Sequence, residues 1–336
     1  MVRIAIDAMG GDHAPLAVVR GAEAAAAVGV GELVLVGDEN AIGPLLQKRS
    51  GIEIVHAPDV VEMKESPSTA LRRKKDSSIN KAFSLLKAGD VQAVVSAGNS
   101  GAFLAFAIFT LGRIPGVERP AIITIHPNVK GTKSILLDAG GSVDCRPSHL
   151  VQFAVMGNVF AKHALGVETP RVGVLSNGEE ETKGNELTRE THALLSGSGL
   201  NYTGYLEGTD LYNGMADVVV TDGFVGNVVL KVSEGMAEAI IGILKEKISA
   251  SMRAKLGYLL LSPVFKGLAR MVDYSEYGGA PLVGVNGVCI ICHGKSNERA
   301  IKNAIMQAKR FVGTNVNGYI KDAMREYASP TKAKEL

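Results

Sequence analysis

Short β-branched and apolar runs recur along this chain, separated by alanine-rich or amphipathic stretches, and that alternation limits the folds open to it. Strand candidates in the first part are Arg3–Asp7, Glu32–Gly37, Glu53–His56, Val91–Ser96 and Ala121–Ile125. Ser134–Asp138, Arg171–Ser176, Asp217–Thr221 and Val288–His293 follow. Helical stretches such as Pro15–Ala27 and Pro147–Leu165 lie between them. Strands joined through helices pair in parallel, so the pattern predicts an α/β protein whose mostly parallel sheet is covered on both faces. At 336 residues with 46% hydrophobic content, the chain can bury a large core in one big domain or two. Ligands on such sheets bind beyond the carboxyl ends of the strands. The residues just after each strand are therefore where chemistry is expected.

Several function classes fall away on composition. A net charge of +2 with 21% charged residues gives no global attraction to nucleic acid. The chain opens on strand-like Val2-Arg3-Ile4-Ala5-Ile6, so no signal peptide and a cytoplasmic protein are expected. The apolar stretch Ala102–Leu111 is about half the length that spans a bilayer. Three cysteines do not make a disulfide scaffold. Cys289-Ile290-Ile291-Cys292-His293 matches the haem-attachment pattern, but in a strand positions three apart face opposite sides and the thiols diverge. No second pair completes a zinc site. Gly294-Lys295-Ser296 ends like a P-loop, yet Cys289 stands where its first glycine belongs. No G-x-G-x-x-G run marks a dinucleotide site.

Two strand–helix junctions share a glycine spacing: Ser96-Ala97-Gly98-Asn99-Ser100-Gly101 and Thr221-Asp222-Gly223-Phe224-Val225-Gly226, followed by Asn227. A strand ending in small residues that opens a helix points bare N–H groups outward, a seat for phosphate or an oxyanion. The glycine-rich segments Asp7–His13, Asp138–Asp144 and Ser176–Glu186 each follow a strand and reach the same rim; Tyr274–Gly287 is equally rich in glycine and polar groups. Asp7, Asp138, Asp144 and Asp222 invite a metal reading, but aspartates after strands more often cap helices or turns, and no metal is expected. Lys183 can hold a phosphate or polarise a carbonyl. His13 and His293 adjoin glycine loops and are acid/base candidates, whereas His126 and His149 read as structural. The basic run Arg72-Arg73-Lys74-Lys75 suits an anionic substrate or acidic protein, or is a solvated helix face.

No G-x-S-x-G elbow occurs, and the cysteines read as buried, so no intrinsic nucleophile is evident. If the reaction moves an acyl group, inorganic phosphate can itself attack. The protein then aligns it with a thioester carbonyl, stabilises the oxyanion and excludes water.

Val232, Met236, Ile240, Ile243 and Leu244 recur at helical spacing on the stretch Val232–Lys247. A second short helix, carrying Val264, Phe265, Leu268 and Val272, follows the apolar Leu256–Pro263. This predicts an αα-hairpin flanked by Arg253, Lys255, Lys266 and Arg270. Its helix faces suit a subunit interface. Its apolar tip, through Leu256, Tyr258, Leu259, Leu260, Leu261, Val264 and Phe265, suits shallow membrane contact.

Taken together, DAMGGDHAP (Asp7–Pro15), RRKKDSS (Arg72–Ser78), SAGNSGA (Ser96–Ala102), LDAGGSVD (Leu137–Asp144), TKGNE (Thr182–Glu186), TDGFVGNVVLK (Thr221–Lys231), YSEYGGA (Tyr274–Ala280) and His293-Gly294 carry a family resemblance. The chain closely resembles the bacterial phosphate acyltransferases that act on acyl–acyl carrier protein, and more distantly the phosphotransacetylases. The resemblance implies a three-layer αβα fold of the isocitrate/isopropylmalate dehydrogenase kind, with a protruding helical hairpin at 230–272. Residues 1–146 with 288–336 are expected as one α/β domain and 147–287 as the second. The implied reaction moves a long-chain acyl group from acyl–acyl carrier protein to phosphate, without a covalent acyl-enzyme and without a cofactor. Its acyl phosphate feeds a membrane glycerol-3-phosphate acyltransferase in phospholipid synthesis. A homodimer, peripheral on the inner face of the cell membrane, is implied as well.

The family's important lysine and asparagine match Lys183 and Asn227. Substrate binding is assigned to Asp7, Gly10, Gly11, His13, Gly98, Asn99, Ser100 and Gly101, with Asp222, Gly223, Gly226 and His293. Arg72–Lys75 becomes a carrier-protein or anion patch. Cys289 and Cys292 depart from a strand that is usually plainly apolar. The rivals are a phosphotransacetylase on acyl-CoA, a nicotinamide-dependent dehydrogenase of related fold, and a noncatalytic membrane scaffold that recruits carrier protein.

Overall fold

A computed structural model describes residues 2–272 and 274–327; the tail Ala328–Leu336, expected to fray, lies outside the described residues. The first strands are β1 (Arg3–Asp7), β2 (Glu32–Gly37), β3 (Ile52–His56) and β4 (Ala93–Ser96). Next come β5 (Ala121–Ile122), β6 (Thr124–Pro127), β7 (Lys133–Leu137) and β8 (Val172–Leu175). The last are β9 (Tyr202–Leu206), β10 (Val218–Val220), β11 (Ala280–Val283) and β12 (Val288–Ile291). The helices begin with α1 (Leu16–Ala26), α2 (Glu39–Ile42), α3 (Pro67–Arg73), α4 (Ser78–Ala88) and α5 (Ser100–Phe106). Then follow α6 (Pro147–Leu165), α7 (Glu186–Ser196), α8 (Asp210–Asn213) and α9 (Gly223–Ser249). The final ones are α10 (Met252–Val272), α11 (Tyr274–Tyr277), α12 (Glu298–Thr314) and α13 (Val316–Tyr327).

Two sheets result, ordered β3-β2-β1-β4-β12-β11-β5 and β6-β7-β10-β8-β9. Pairings are parallel except at one edge of each: β11 runs antiparallel to β12 and β5, and β6 antiparallel to β7. Every strand candidate is present, but the run Ala121–Ile125 is not one strand. It breaks at Ile123, so β5 joins the first sheet and β6 the second. An unpunctuated apolar run gives no sign of that break. Division by sheet therefore falls at Ile123 and in the segment before Ala280, earlier than the expected boundaries at 146/147 and 287/288.

Helix α6 joins the halves. A Cβ on its Gly157 would lie 2.6 Å from Val218, so glycine lets α6 sit close on β10. From its other flank Phe160 meets Phe311 of α12 edge to face, ring centroids 5.1 Å apart. One buried cluster accordingly runs through both sheets. At β12 and the residue after it the two thiols diverge as expected: Cys289 belongs to the buried cluster with Val94 and Phe103, Cys292 to the one with Val95 and Ile290.

Helices α9 and α10 form the protruding hairpin, with a different turn from the one expected. The reversal comes at Ala250–Ser251, and α10 then continues through Pro263. Leu256–Phe265 is thus the body of α10 and not its tip. A proline that normally interrupts a helix misplaces that boundary when the sequence alone is read. Leu256, Leu259, Leu260 and Val264 are exposed there, and so are Val232, Met236, Ile240 and Ile243 on α9. The side chains of Lys266, Leu268, Arg270 and Val272 lie outside the described residues. Among the described residues no helix is long and apolar enough to cross a membrane.

Candidate active site

A buried aspartate fastens the central loops of each sheet. Asp7 closes β1; its carboxylate accepts the hydroxyls of Ser78 at 2.6 Å and Ser96 at 2.7 Å and the Met9 amide at 3.2 Å. Ser96 in turn accepts the Gly98 amide at 3.0 Å, tying the loops after β1 and β4 together. A Cβ on Gly10 would lie 2.6 Å from Asp7 Oδ2 and 2.7 Å from the Gly98 nitrogen, so only glycine fits that crossing. Asp138 follows β7 and accepts the amides of Ile122 (2.8 Å), Gly140 (3.3 Å), Gly141 (2.9 Å) and Ser142 (2.6 Å). Burial pushes both carboxyls up, Asp138 to about 6, although the donors around each favour the ionised form.

The helix starts above these aspartates are less open than their glycines suggest. Asp222 caps α9, accepting the Phe224 amide at 2.9 Å and the Val225 amide at 3.1 Å. The Gly223 amide reaches the Ser142 carbonyl at 2.8 Å, and the Gly226 amide the Asp222 carbonyl at 2.9 Å. The bare amides expected at this junction are therefore occupied, because a capping carboxylate competes with any outside anion. At α5, Asn99 Oδ1 accepts the Ala102 amide at 3.0 Å, and its Nδ2 donates to the carbonyls of Glu62, Met63 and Glu65. At that turn Ser100 is exposed, whereas a Cβ on Gly101 would lie 2.8 Å from Pro67.

Between the sheets lies a cleft of about 520 Å³. Gly98, Ser100, Ile122 and Ile291 come from the first sheet and its loops; Thr124–Pro127, Ala139 and Gly140 come from the second. Helix α9 supplies Asn227, Leu230, Lys231, Ser233, Glu234 and Ala237, and the loop after β12 supplies His293, Gly294 and Lys295. Lys231 pairs with Glu234 at 2.7 Å. His293 Nδ1 accepts the Lys295 amide at 3.1 Å. Its pKa is held below the usual histidine range chiefly by burial, with the nearby Lys231 and Lys295 adding to the effect.

Of the residues assigned to the site from sequence, Gly98, Ser100, Asn227 and His293 line the cleft. Asn227 packs against the Gly140 turn, where a Cβ on Gly140 would lie 3.5 Å away. Asp7 and Gly10 belong to the knot just described, Gly11 packs beside it against Ala97 and the Gly294 carbonyl, and Asn99, Gly101, Asp222, Gly223 and Gly226 frame the two helix starts. His13 is exposed and outside the lining. Lys183 sits in the loop after β8 and faces Glu180 at 3.9 Å, also outside the lining. Arg72, Arg73 and Lys75 are exposed at the end of α3. Asp144 is exposed while Asp7 and Asp138 are buried in different loops, so these carboxylates do not converge.

His126, read as merely structural, lines the cleft. Its Nε2 lies 2.9 Å from Thr124 Oγ1 and its Nδ1 3.4 Å from the Tyr212 hydroxyl. Tyr212 donates to Ser233 Oγ at 2.5 Å, and Ser233 to the Val229 carbonyl. Lys231 and Lys295 are likewise cleft residues that sequence reasoning passed over. Lys231 lies five residues past Gly226 on α9, and a spacing of i, i+4 from Asn227 was the available signal.

The two-sheet α/β fold is one shared with solved phosphotransacetylases and 4-hydroxythreonine-4-phosphate dehydrogenases. A phosphotransacetylase from Streptococcus pyogenes superposes with a TM-score of 0.63 at 15% identity, covering 93% of this chain and 94% of that one. A 4-hydroxythreonine-4-phosphate dehydrogenase from Klebsiella pneumoniae does so at 0.53 and 14% identity, covering 96% and 100%. The profile of the family described as "Fatty acid synthesis protein" matches residues 2–318. A phosphate acyltransferase of Geobacter sulfurreducens is 54% identical over 327 residues, 96% of this chain and 94% of that protein. The chain belongs to the phosphate acyltransferase family, and it is an acyltransferase.

Burial lowers the His126 pKa from 6.5 to about 4, so the folded protein holds this ring neutral. The unfolded chain protonates it first, so its contribution to stability is full above pH 6.5 and is lost as pH falls toward 4. The shift corresponds to about 3 kcal/mol. In urea titrations at pH 7 and pH 4, His126→Gln is expected to lose about that much less stability than the parent. Equal losses would contradict a neutral buried imidazole.

Proposed function

We propose that this acyltransferase moves a long-chain acyl group from acyl–acyl carrier protein to inorganic phosphate, which attacks the thioester directly. The observation that carries the reading is a cleft that brings a carboxamide and a glycine turn together with no activated nucleophile among the described residues. Its one lining cysteine, Cys292, is buried and its thiol pushed up to about 12, so it stays protonated at neutral pH. Cys145 is raised to about 11, again mainly by burial. The nitrogens of His126 face Thr124 and Tyr212 rather than activating a serine.

In this reading phosphate lies at the Gly98–Gly101 turn. Asn227 donates its carboxamide N–H to the oxyanion that forms as phosphate oxygen adds to the carbonyl carbon. Collapse of that intermediate breaks the C–S bond and releases carrier thiolate and acyl phosphate. Lys183, on the same carboxyl edge one strand beyond β10, exchanges exposed Glu180 for the substrate anion. An exposed ion pair costs little to break, so its present partner is no obstacle. The exposed cations Arg72, Arg73 and Lys75 offer the carrier protein a docking patch.

Peripheral membrane association and a homodimer belong to the same reading. Helix α9 presents exposed Val232, Met236, Ile240 and Ile243 for a second copy. Helix α10 presents Leu256, Leu259, Leu260 and Val264 beside exposed Arg253 and Lys255, a pattern suited to an anionic bilayer surface. Release there hands a water-averse acyl phosphate to a membrane glycerol-3-phosphate acyltransferase at the inner face.

Free thiol is to be followed from a palmitoyl–carrier thioester with and without phosphate, beside acetyl-CoA. Phosphate-dependent release from the carrier thioester, exceeding that from acetyl-CoA, is expected. Asn227→Ala and Lys183→Ala should each lower kcat by about 100-fold or more with the fold retained; undiminished turnover in both removes their assigned roles. Leu260→Glu should abolish flotation with anionic liposomes, and persistent flotation would return α10 to a protein interface.

A further inference from the structure

Helix α9 carries more than Asn227 into the cleft. Asn227, Leu230, Glu234 and Ala237 lie on one stripe at steps of three and four residues, and all four line it. The stripe continues outside the cleft through half-buried Ile241 and then Leu244, 37% exposed. Strand β6 faces this stripe. Thr124 pairs with Leu136, near the loop that packs on Asn227, while Pro127 pairs with Lys133, three strand positions deeper. Helix and strand therefore descend together from the reacting end. The Tyr212–Ser233 hydrogen bond sets their level midway.

We infer that the acyl chain of the substrate lies between α9 and β6, and that Ala237 governs how long a chain passes. This rests on the acyl-transfer reading above. Polar atoms along such a channel would oppose an alkyl chain unless partnered. Here Thr124, His126, Tyr212 and Ser233 bond to one another, and Glu234 is paired with Lys231. The apolar lining is Ile125 and Pro127 from β6 and Leu230 from α9. From Asn227 to Ala237 the helix rises about 15 Å. An extended chain advances about 1.2 Å per bond, as extended polypeptide does, so about twelve carbons reach Ala237. Longer chains pass its small methyl group and meet Ile241 and Leu244. A large side chain at 237 closes that passage without disturbing a packed core, since Ala237 is only half-buried.

The test is the ratio of kcat/KM for palmitoyl- to octanoyl–carrier thioesters, measured with phosphate for the parent and for Ala237→Phe. Burial of the terminal methylenes is lost only for the long chain, so the ratio should fall about 100-fold. Ala237→Leu, a milder change should the Phe variant misfold, should lower it by a smaller factor of about 10. A ratio within twofold of the parent in the folded variants, whatever their absolute rates, overturns the channel and leaves the acyl-transfer reading standing. A parent enzyme that releases no thiol from either thioester in response to phosphate refutes that reading and the channel with it.

Discussion

Asp138 receives four main-chain amides within hydrogen-bonding distance in a place where burial alone would keep a carboxyl neutral, and the second half of the site is arranged around it. One of those amides belongs to Ile122, in the other sheet, so the same carboxylate also joins the two halves at the cleft. Above it α9 approaches so closely that a Cβ on Gly226 would fall 1.9 Å from the Asp138 carbonyl oxygen. Only glycine tolerates that approach, and the approach is what brings Asn227 against the Gly140 turn. Asp7 does comparable work in the first sheet with two serine hydroxyls, and it fixes the Gly98 turn. The cleft is the space left where these two loop systems face each other.

The break at Ile123 places that space. Because one apolar run serves both sheets, Ile122 stands on one side and Thr124–Pro127 on the other, with no loop between them. Helix α9 then runs from the cleft at Asn227 past β6 and on into the exposed hairpin. Cleft residues, apolar walls and the exposed hairpin thus share one helix. Under the proposed reaction, that continuity links an aqueous nucleophile to a product whose acyl chain favours a lipid surface.

Much of this was readable from the chain. The β1, β2 and β10 runs have strong apolar patterns and clear glycine boundaries, and the family motifs fall on the loops that build the site. Other features leave little local trace. Pro281 reads against a strand, yet it lies within β11, and Tyr202–Leu206 of β9 is interrupted by Gly204. Asp222 looked like a ligand for substrate, but its position before a helix made capping the stronger competitor. His126 has no glycine loop beside it in sequence; it enters the cleft only because β6 turns away from β5. Which residues face each other across two sheets is a tertiary fact that periodicity does not encode.

The claim that everything chemical depends on is that the acyl group passes to phosphate without resting on the protein. Mixing the enzyme with an equimolar palmitoyl–carrier thioester in phosphate-free buffer, and weighing the intact protein by mass spectrometry, addresses it directly. The account predicts an unchanged protein mass and an intact thioester until phosphate is added. A protein heavier by one palmitoyl group, formed with release of carrier thiol before any phosphate is present, would contradict it.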